Sequence, residues 1–459
     1  MSDQLEIASA LPGEVQTPLT SESQSVRGFM ALVLTQFFGA TNDNILKGVL
    51  IYMVIDGSWT GQLGVGGQGV VSLCLTLPFL LLSGFGGQVA DRHSKRNISV
   101  LMKFAEIPIA LLALIGFWTG SLSLTLAALV ALSSQSAIFG PAKYGMIPEL
   151  VSTAQLSRAN GLINMMTNVA VIVGTLAAGQ ISDAYSPLPS AGILAEPNLL
   201  LPGVVILLVA LAGVASVMFL TPLPSGNRLV TYTRNPFSAY VWSIRKMAES
   251  PLLLIALASG YFYFLAGLAL LIIPEYTIVL KAYDVSRAEV SVLLGVLGIA
   301  IGLGSAVAGF VSGQGIRPRL IPCGAFGITA FFILLGTMPA TLPDLPPMWR
   351  ILFCSHSAFI LGAGFSAGFY IIPLQALLQQ LAPRAERGRF LGTSNAIAFA
   401  FLSASAVLYP VMRPAFSKSE LVQHPERIFL VCAGLMAVGI VVFLLQLRSS
   451  KLTLSPVTA

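Results

Sequence analysis

Thr41-Asn42-Asp43-Asn44-Ile45-Leu46-Lys47 sets a carboxylate, two amides and an ammonium inside a long apolar run. A charge at the centre of a membrane-spanning helix costs roughly 2.5–3.5 kcal/mol, so such groups face a protein interior or a wet cavity. On a helix Asp43 and Lys47 lie one turn apart and are expected to neutralise each other, with Gln36, Ala40, Asp43 and Lys47 on one stripe. Two readings are open: a structural ion pair that fixes helix packing, or a group that meets substrate or a coupling ion.

Further residues suit an amphiphile with a charged head. Asn160, Asn164, Thr167 and Asn168 share one helix face, and Gln135, Lys143 and Tyr144 belong to the preceding helix and its end. Lys143 is a candidate phosphate contact, and Asp43 and Glu275 are candidates for an amine. The run Tyr261-Phe262-Tyr263-Phe264 would border an acyl chain or give a cation–π contact. Each has a plainer reading: amides on helix faces bond neighbouring helices, and aromatic runs are often core. Lys103 and Glu106, spaced i, i+3, read as a structural bridge.

The elements that must carry these residues are membrane helices. The 459 residues are 55% hydrophobic and 10% charged, with mean hydropathy +0.84. About twelve apolar stretches match the ~17–25 residues that cross a bilayer: 28–55, 65–89, 98–118, 122–139, 160–182, 199–220, 252–280, 290–311, 320–338, 349–377, 390–411 and 428–447. The expected fold is therefore an all-α membrane protein with twelve transmembrane helices.

Lysine and arginine gather in alternate loops, as Arg92, Lys95 and Arg96, then Arg228, Arg234, Arg245 and Lys246, then Arg384, Arg387 and Arg389. By the positive-inside rule both termini are cytoplasmic, with Trp59, Trp118 and Trp349 at outer interfaces and Trp242 at the inner one. The net charge of +6 thus reports topology and contact with membrane lipid, and gives no argument for nucleic acid. The division expected is a disordered cytoplasmic tail at 1–27, a six-helix bundle at 28–221, a cytoplasmic linker at 222–250, a second bundle at 251–448 and a tail at 449–459. Cys74, Cys323, Cys354 and Cys432 have no paired spacing, which argues against disulfides and a thiolate metal site.

The chain also carries an internal repeat. Ile147-Pro148 and Gly161-Leu-Ile-Asn164 are echoed by Ile372-Pro373 and Gly392-Thr-Ser-Asn395. Two bundles related by an axis along the membrane normal, with a site between them, are the architecture of the major facilitator superfamily. Gly87-Gln-Val-Ala-Asp91-Arg92-His93-Ser94-Lys95-Arg96 resembles that superfamily's signature between helices two and three, and its faded counterpart at 309–317 lacks the acidic position. Physically, Gly87 would admit a close helix approach, Asp91 would accept from a helix N-terminus, and Arg92, Lys95 and Arg96 would close a charge latch.

Gln36-Phe-Phe-Gly39-Ala-Thr-Asn42-Asp43-Asn44-Ile-Leu-Lys47 and Phe139-Gly140-Pro141-Ala-Lys143-Tyr144-Gly145-Met-Ile-Pro148-Glu149 are similar to the lysophospholipid transporter family, over about 28–448. That resemblance implies flipping of lysophospholipids, chiefly lysophosphatidylethanolamine, across the bacterial inner membrane by alternating access. The likeness is closest to the transporter portion that in many bacteria is fused to an acyltransferase and an acyl-carrier-protein synthetase; this chain has no His-x-x-x-x-Asp acyltransferase pattern, so a separate enzyme of that kind is the expected partner for re-acylation. The chain departs from the family in its longer Asn-Asp-Asn pattern and in having no arginine or lysine between Leu252 and Leu280. Two alternatives stay open: a proton-coupled carrier of a small or amphipathic solute, and a non-transporting scaffold for an acyltransferase.

Enzyme readings find no support. No lysine follows a glycine, which excludes a Gly-Lys-Ser/Thr phosphate loop. Gly64-Val-Gly66-Gly-Gln-Gly69 opens a membrane helix without a preceding strand, so it reads as a chance match or a close-packing patch. His93, His356 and His424 are dispersed, with no metal spacing, so neither metal nor cofactor is expected.

Overall fold

The computed structural model describes residues 22–55, 59–151, 156–187, 196–223, 238–312, 317–382, 387–417 and 423–449, and these are helices joined by short connections. In order they are α1 (Glu22–Ile55), α2 (Thr60–Leu63), α3 (Gln68–Arg92), α4 (Lys95–Trp118), α5 (Leu122–Leu150), α6 (Leu156–Tyr185), α7 (Leu201–Val217) and α8 (Ser238–Ala248). There follow α9 (Leu252–Ile272), α10 (Tyr276–Val279), α11 (Arg287–Ser312), α12 (Leu320–Thr337), α13 (Pro347–Leu352), α14 (Ser355–Leu381), α15 (Arg387–Met412) and α16 (Ile428–Ser449). Among the described residues ten helical stretches are long and apolar enough to cross a membrane. The polar segment at 41–47 interrupts the 34-residue α1, and α7 is an apolar helix of 17 residues. Of the expected tail at 1–27, residues 1–21 lie outside the described residues and 22–27 belong to α1; the linker stretch 224–237 and the end 450–459 also lie outside them.

Helix packing repeats between the two parts of the chain. In the first, α1 packs on α6 and α7, α3 on α5, and α4 on α5 and α7; in the second, α9 packs on α15 and α16, α11 on α14, and α12 on α14 and α16. Pro148 and Pro373 fall on the equivalent helices α5 and α14, and Asn164 and Asn395 on α6 and α15. Two pairings, α3 with α15 and α6 with α11, join the halves.

Small residues set how closely the helices approach. A Cβ on Gly86 of α3 would lie 3.0 Å from Ile138 Cα and 3.1 Å from the Ala137 carbonyl of α5, the acceptor that Pro141, four residues on, leaves without its amide. The equivalent contact in the second half is tighter: Gly304 of α11 would place a Cβ 2.0 Å from the Phe365 carbonyl of α14.

Three sequence expectations change. The stretch 349–377 is divided, because Cys354 takes an extended conformation between α13 and α14 and its sulfur accepts the Ser357 amide at 3.2 Å. Trp59 is buried, donating its indole N–H to the Gly120 carbonyl at 2.8 Å beside Phe117 and Tyr185, so it is core. Gly87 has open space where a Cβ would sit, so the close approach belongs to its neighbour Gly86.

Candidate transport site and its gates

Asp43 and Lys47 do not pair. The Lys47 ammonium donates to Asn44 Oδ1 at 3.2 Å, and Asn44 in turn donates to the Ala40 carbonyl. Asp43 instead accepts from the Ser136 hydroxyl of α5, at 3.2 and 3.0 Å to its two oxygens. The i, i+4 spacing permits a pair, but Asn44 takes the ammonium first and Asp43 turns to α5. Among the described residues Asp43 has no ion pair within 4.0 Å.

Behind Asp43 runs a buried polar chain. Ser136 Oγ lies 3.2 Å from Gln135 Oε1 as well, so its single proton is shared between Asp43 and Gln135, and Gln135 Nε2 donates to Glu106 Oε1 at 3.1 Å. Glu106 pairs with Lys103 at 2.5 Å, both side chains being 1% exposed. Glycines make room for this pair: a Cβ on Gly39 of α1 would lie 2.6 Å from Lys103 Nζ, and one on Gly213 of α7 would lie 3.5 Å from Lys103 Cδ. A buried lysine and glutamate in a membrane bundle persist only when paired, so this pair forms the floor of the site and is more than a bridge along one helix.

Lys143, also on α5, is buried and lies within the electrostatic reach of Asp43. Its ammonium sits 4.3 Å above the ring of Tyr144, which is half exposed. Gln36 is buried and donates to Thr167 of α6 at 3.1 Å, while Asn164 and Asn168 are exposed further along that helix. Asn42 is 1% exposed and neither amide atom has a partner among the described residues. The fold thus gathers Asp43, Ser136, Gln135, Lys143 and Gln36 in the first half, between α1, α5 and α6.

Glu275, Tyr261 and Tyr263 are placed elsewhere. Pro274 turns the chain into a short 3₁₀ segment after α9, and Glu275 is buried there with Arg413 at 2.5 Å, the Tyr409 hydroxyl at 2.7 Å and the Gln68 amide. With its oxygens so occupied, it is not open to a substrate amine, which corrects the sequence expectation. The Tyr261 hydroxyl donates to the Leu435 carbonyl of α16 at 2.6 Å, and Tyr263 bonds Gln375 of α14. Both belong to packing inside the second half. An apolar cavity of about 90 Å³ lies there too, lined among others by Leu265, Ala266, Leu297, Phe332 and Ala363.

The halves are joined at the end that carries Glu275, the clasp end. Gln68, from α3, is the first-half member of that buried cluster, and Gly66 and Gly69 lie against Pro410 and Ala406 of α15. The glycine-rich stretch is therefore a close-packing patch between halves. Gly66 has φ +86°, open to glycine without strain. Beside it, Asp183 of α6 accepts the amides of Arg287 and Ala288 at 3.1 and 2.8 Å, capping α11 from the other half. Ser286 and Glu289 form a reciprocal capping box on the same turn, and the Arg350 guanidinium grips Glu289 with two bonds at 2.7 and 2.9 Å.

Towards the opposite end, the latch end, the halves part. Thr76 still reaches Ser403 at 2.9 Å and Phe79 stacks on Phe399. Beyond Ile172 of α6 and Gly298 of α11, Met165, Ile299 and Leu303 are exposed and Phe310 is 89% exposed. In the signature loop, Lys95 pairs with Glu149 and Arg96 donates to the Leu220 carbonyl at 3.0 Å, all within the first half. Arg92 is partly buried; Asp91 is exposed and bonds no helix N-terminus among the described residues. Sequence reasoning missed Ser136, Gln68 and Arg413, since nothing in the chain marks which hydroxyl, amide or arginine crosses between helices.

Two helical halves of like packing meet in crossed contacts, and each buries charged side chains; the sequence model of the Major Facilitator Superfamily matches residues 32–407. The chain belongs to that superfamily and is a multi-pass secondary transporter. The Lysophospholipid transporter LplT of Serratia proteamaculans (strain 568) is 27% identical over 379 residues, covering 81% of this chain and 83% of its own. Its counterpart from Yersinia enterocolitica is 27% identical over 398 residues, covering 83% and 85%. Among solved structures, a bacterial homologue of the human lysosomal transporter Spinster, inward-facing and unoccupied, has a TM-score of 0.67 at 15% identity, covering 94% and 98%. A D-xylose–proton symporter gives a TM-score of 0.63 at 15% identity, covering 92% and 97%.

Proposed function

We propose that this protein moves lysophospholipids across the bacterial inner membrane by alternating access, delivering them for re-acylation by a separate enzyme. The observation that carries the reading is Asp43 without an ion pair and Lys143 buried near it, in an interior where Lys103 and Glu106 are matched. A phosphoethanolamine head supplies the two missing charges: its ammonium goes to Asp43 and its phosphate to Lys143, with Gln36, Asn164 and Asn168 as further hydrogen-bonding groups. The single acyl chain then lies against the apolar second half. In this reading α1 and α7 complete twelve spans, both termini are cytoplasmic, the clasp end faces outward, and the open latch end faces the cytoplasm.

In the cycle, Gln68 leaves Glu275 and Asp183 leaves α11 when the outer end opens. Glu275 and Arg413 stay paired within the second half, and Asp183 and Arg287, which part, exchange their mutual contacts for water at that end. The test is reconstitution: labelled lysophosphatidylethanolamine should change leaflet in protein-containing vesicles, and diacyl lipid should move at least tenfold more slowly. Equal movement of one-chain and two-chain lipids, or uptake of a water-soluble solute alone, would end this assignment.

A second reading rests on the hydrogen-bonded chain Asp43–Ser136–Gln135–Glu106, which would suit a proton-coupled carrier. An imposed pH gradient separates the two: flipping that ignores it supports the first, and flipping driven by it the second.

A further inference from the structure

Helix α8 leaves an apolar ridge exposed along one flank. Ser243 and Met247, one turn apart, are its buried positions, and Val241 and Ile244, on the flank next to Met247, are 48% and 38% exposed. Ala248 extends that ridge at i, i+3, i+7. Arg245, opposite the buried positions, and Lys246 are exposed, with Trp242 between them on the helical wheel, 37% exposed. The height of the helix is fixed by covalent connection: α8 ends at Ala248, and the span that starts with α9 begins at Leu252. A short helix with an apolar ridge, an indole and two cations, held at the edge of a membrane span, fits the boundary between acyl chains and anionic headgroups.

The same helix touches both halves at the latch end. The Trp242 ring is parallel to that of Phe390 of α15, at 6.4 Å, and the Tyr240 hydroxyl is hydrogen-bonded to the backbone of Gly84 on α3. We propose that α8 is a strap that binds anionic phospholipid of the leaflet at the latch end and thereby favours the state in which that end is parted. Lipid bound to Arg245 and Lys246 holds α8 at the depth where both contacts are made. The inference concerns lipid as surroundings and is independent of the substrate reading.

The full chain, with its four cysteines replaced, carries a spin label at Ile244 or Arg245 and is reconstituted in phosphatidylcholine with or without phosphatidylglycerol. The label at 244 should be shielded from water and the label at 245 should lie at headgroup depth. A second label pair, at Met165 and Phe310, reads the opening. Phosphatidylglycerol should raise the parted-to-joined ratio by up to about thirtyfold at low salt, the equivalent of two cations near an anionic surface. The double change Arg245→Gln with Lys246→Gln should abolish that response, and Val241→Ser with Ile244→Ser should weaken it while keeping both cations. A label at 244 as wet as one in water, or an unchanged lipid response in the Arg245→Gln/Lys246→Gln protein, would overturn the proposal.

Discussion

The two halves share one packing scheme and divide the chemistry. In the first, Asp43, Lys47, Lys103, Glu106 and Lys143 lie inside the helices, and Gln135 and Ser136 connect two of the carboxylates. In the second, no aspartate, glutamate, lysine or arginine occurs between Leu252 and Pro274, or between Val290 and Ser312, or between Leu320 and Thr337. Its charges gather at the clasp end instead, as Glu275 with Arg413 and Glu289 with Arg350, and its middle holds an apolar cavity. The first half thus keeps its charges among its helices, and the second keeps them at one end of an apolar middle; the proposed reading gives the headgroup to the one and the acyl chain to the other. An amphiphile needs both at once.

That division can be broken at its helix contacts. Gly304→Val should be the most damaging single change, because its side chain meets backbone of α14 that cannot yield. Overpacking costs about 1–3 kcal/mol, and more where backbone is displaced, so inserted protein should fall sharply on a gel-filtration assay. Gly86→Ala in the first half, where the same contact is looser, should cost less than half as much. Similar losses for the two would deny that the second half is the tighter body.

The next effect is at the gates. Gln68→Leu removes the first-half member of the clasp and leaves Glu275 with Arg413 and Tyr409. Distances between labels at the clasp end should show the open population raised about 5–150-fold. Asp91→Asn should be the smallest, under about twofold, because Asp91 is exposed and bonds no helix N-terminus among the described residues. Reversal of that order would return the signature loop to the role its motif suggests.

The fold was legible because the bilayer imposes it: apolar runs of spanning length, alternating basic loops and the Pro148/Pro373 echo need no knowledge of contacts. The site was legible only in part. Asp43, Lys143 and Gln135 stand out as polar groups in apolar surroundings, yet their partners do not. Charge and spacing match Lys47 to Asp43, and charge alone offers Glu275 to an amine; in each case a closer group takes the bond, Asn44 for Lys47 and Arg413 for Glu275. Spacing on one helix shows who can meet. The neighbouring helices decide who does.

The central claim is that Asp43 meets the substrate's cation rather than Lys47. It is tested most directly by measuring lysophosphatidylethanolamine flipping and the melting temperature together for Asp43→Asn, Lys47→Met and the double change. Since Lys47 is bonded to Asn44, Asp43→Asn should leave the melting temperature within a few degrees and lower flipping by about ten- to hundredfold, a loss of the order of one charge-assisted contact. Lys47→Met should not restore it. A destabilised Asp43→Asn protein that regains both stability and flipping when Lys47→Met is added would contradict the account and make the two residues a packing pair.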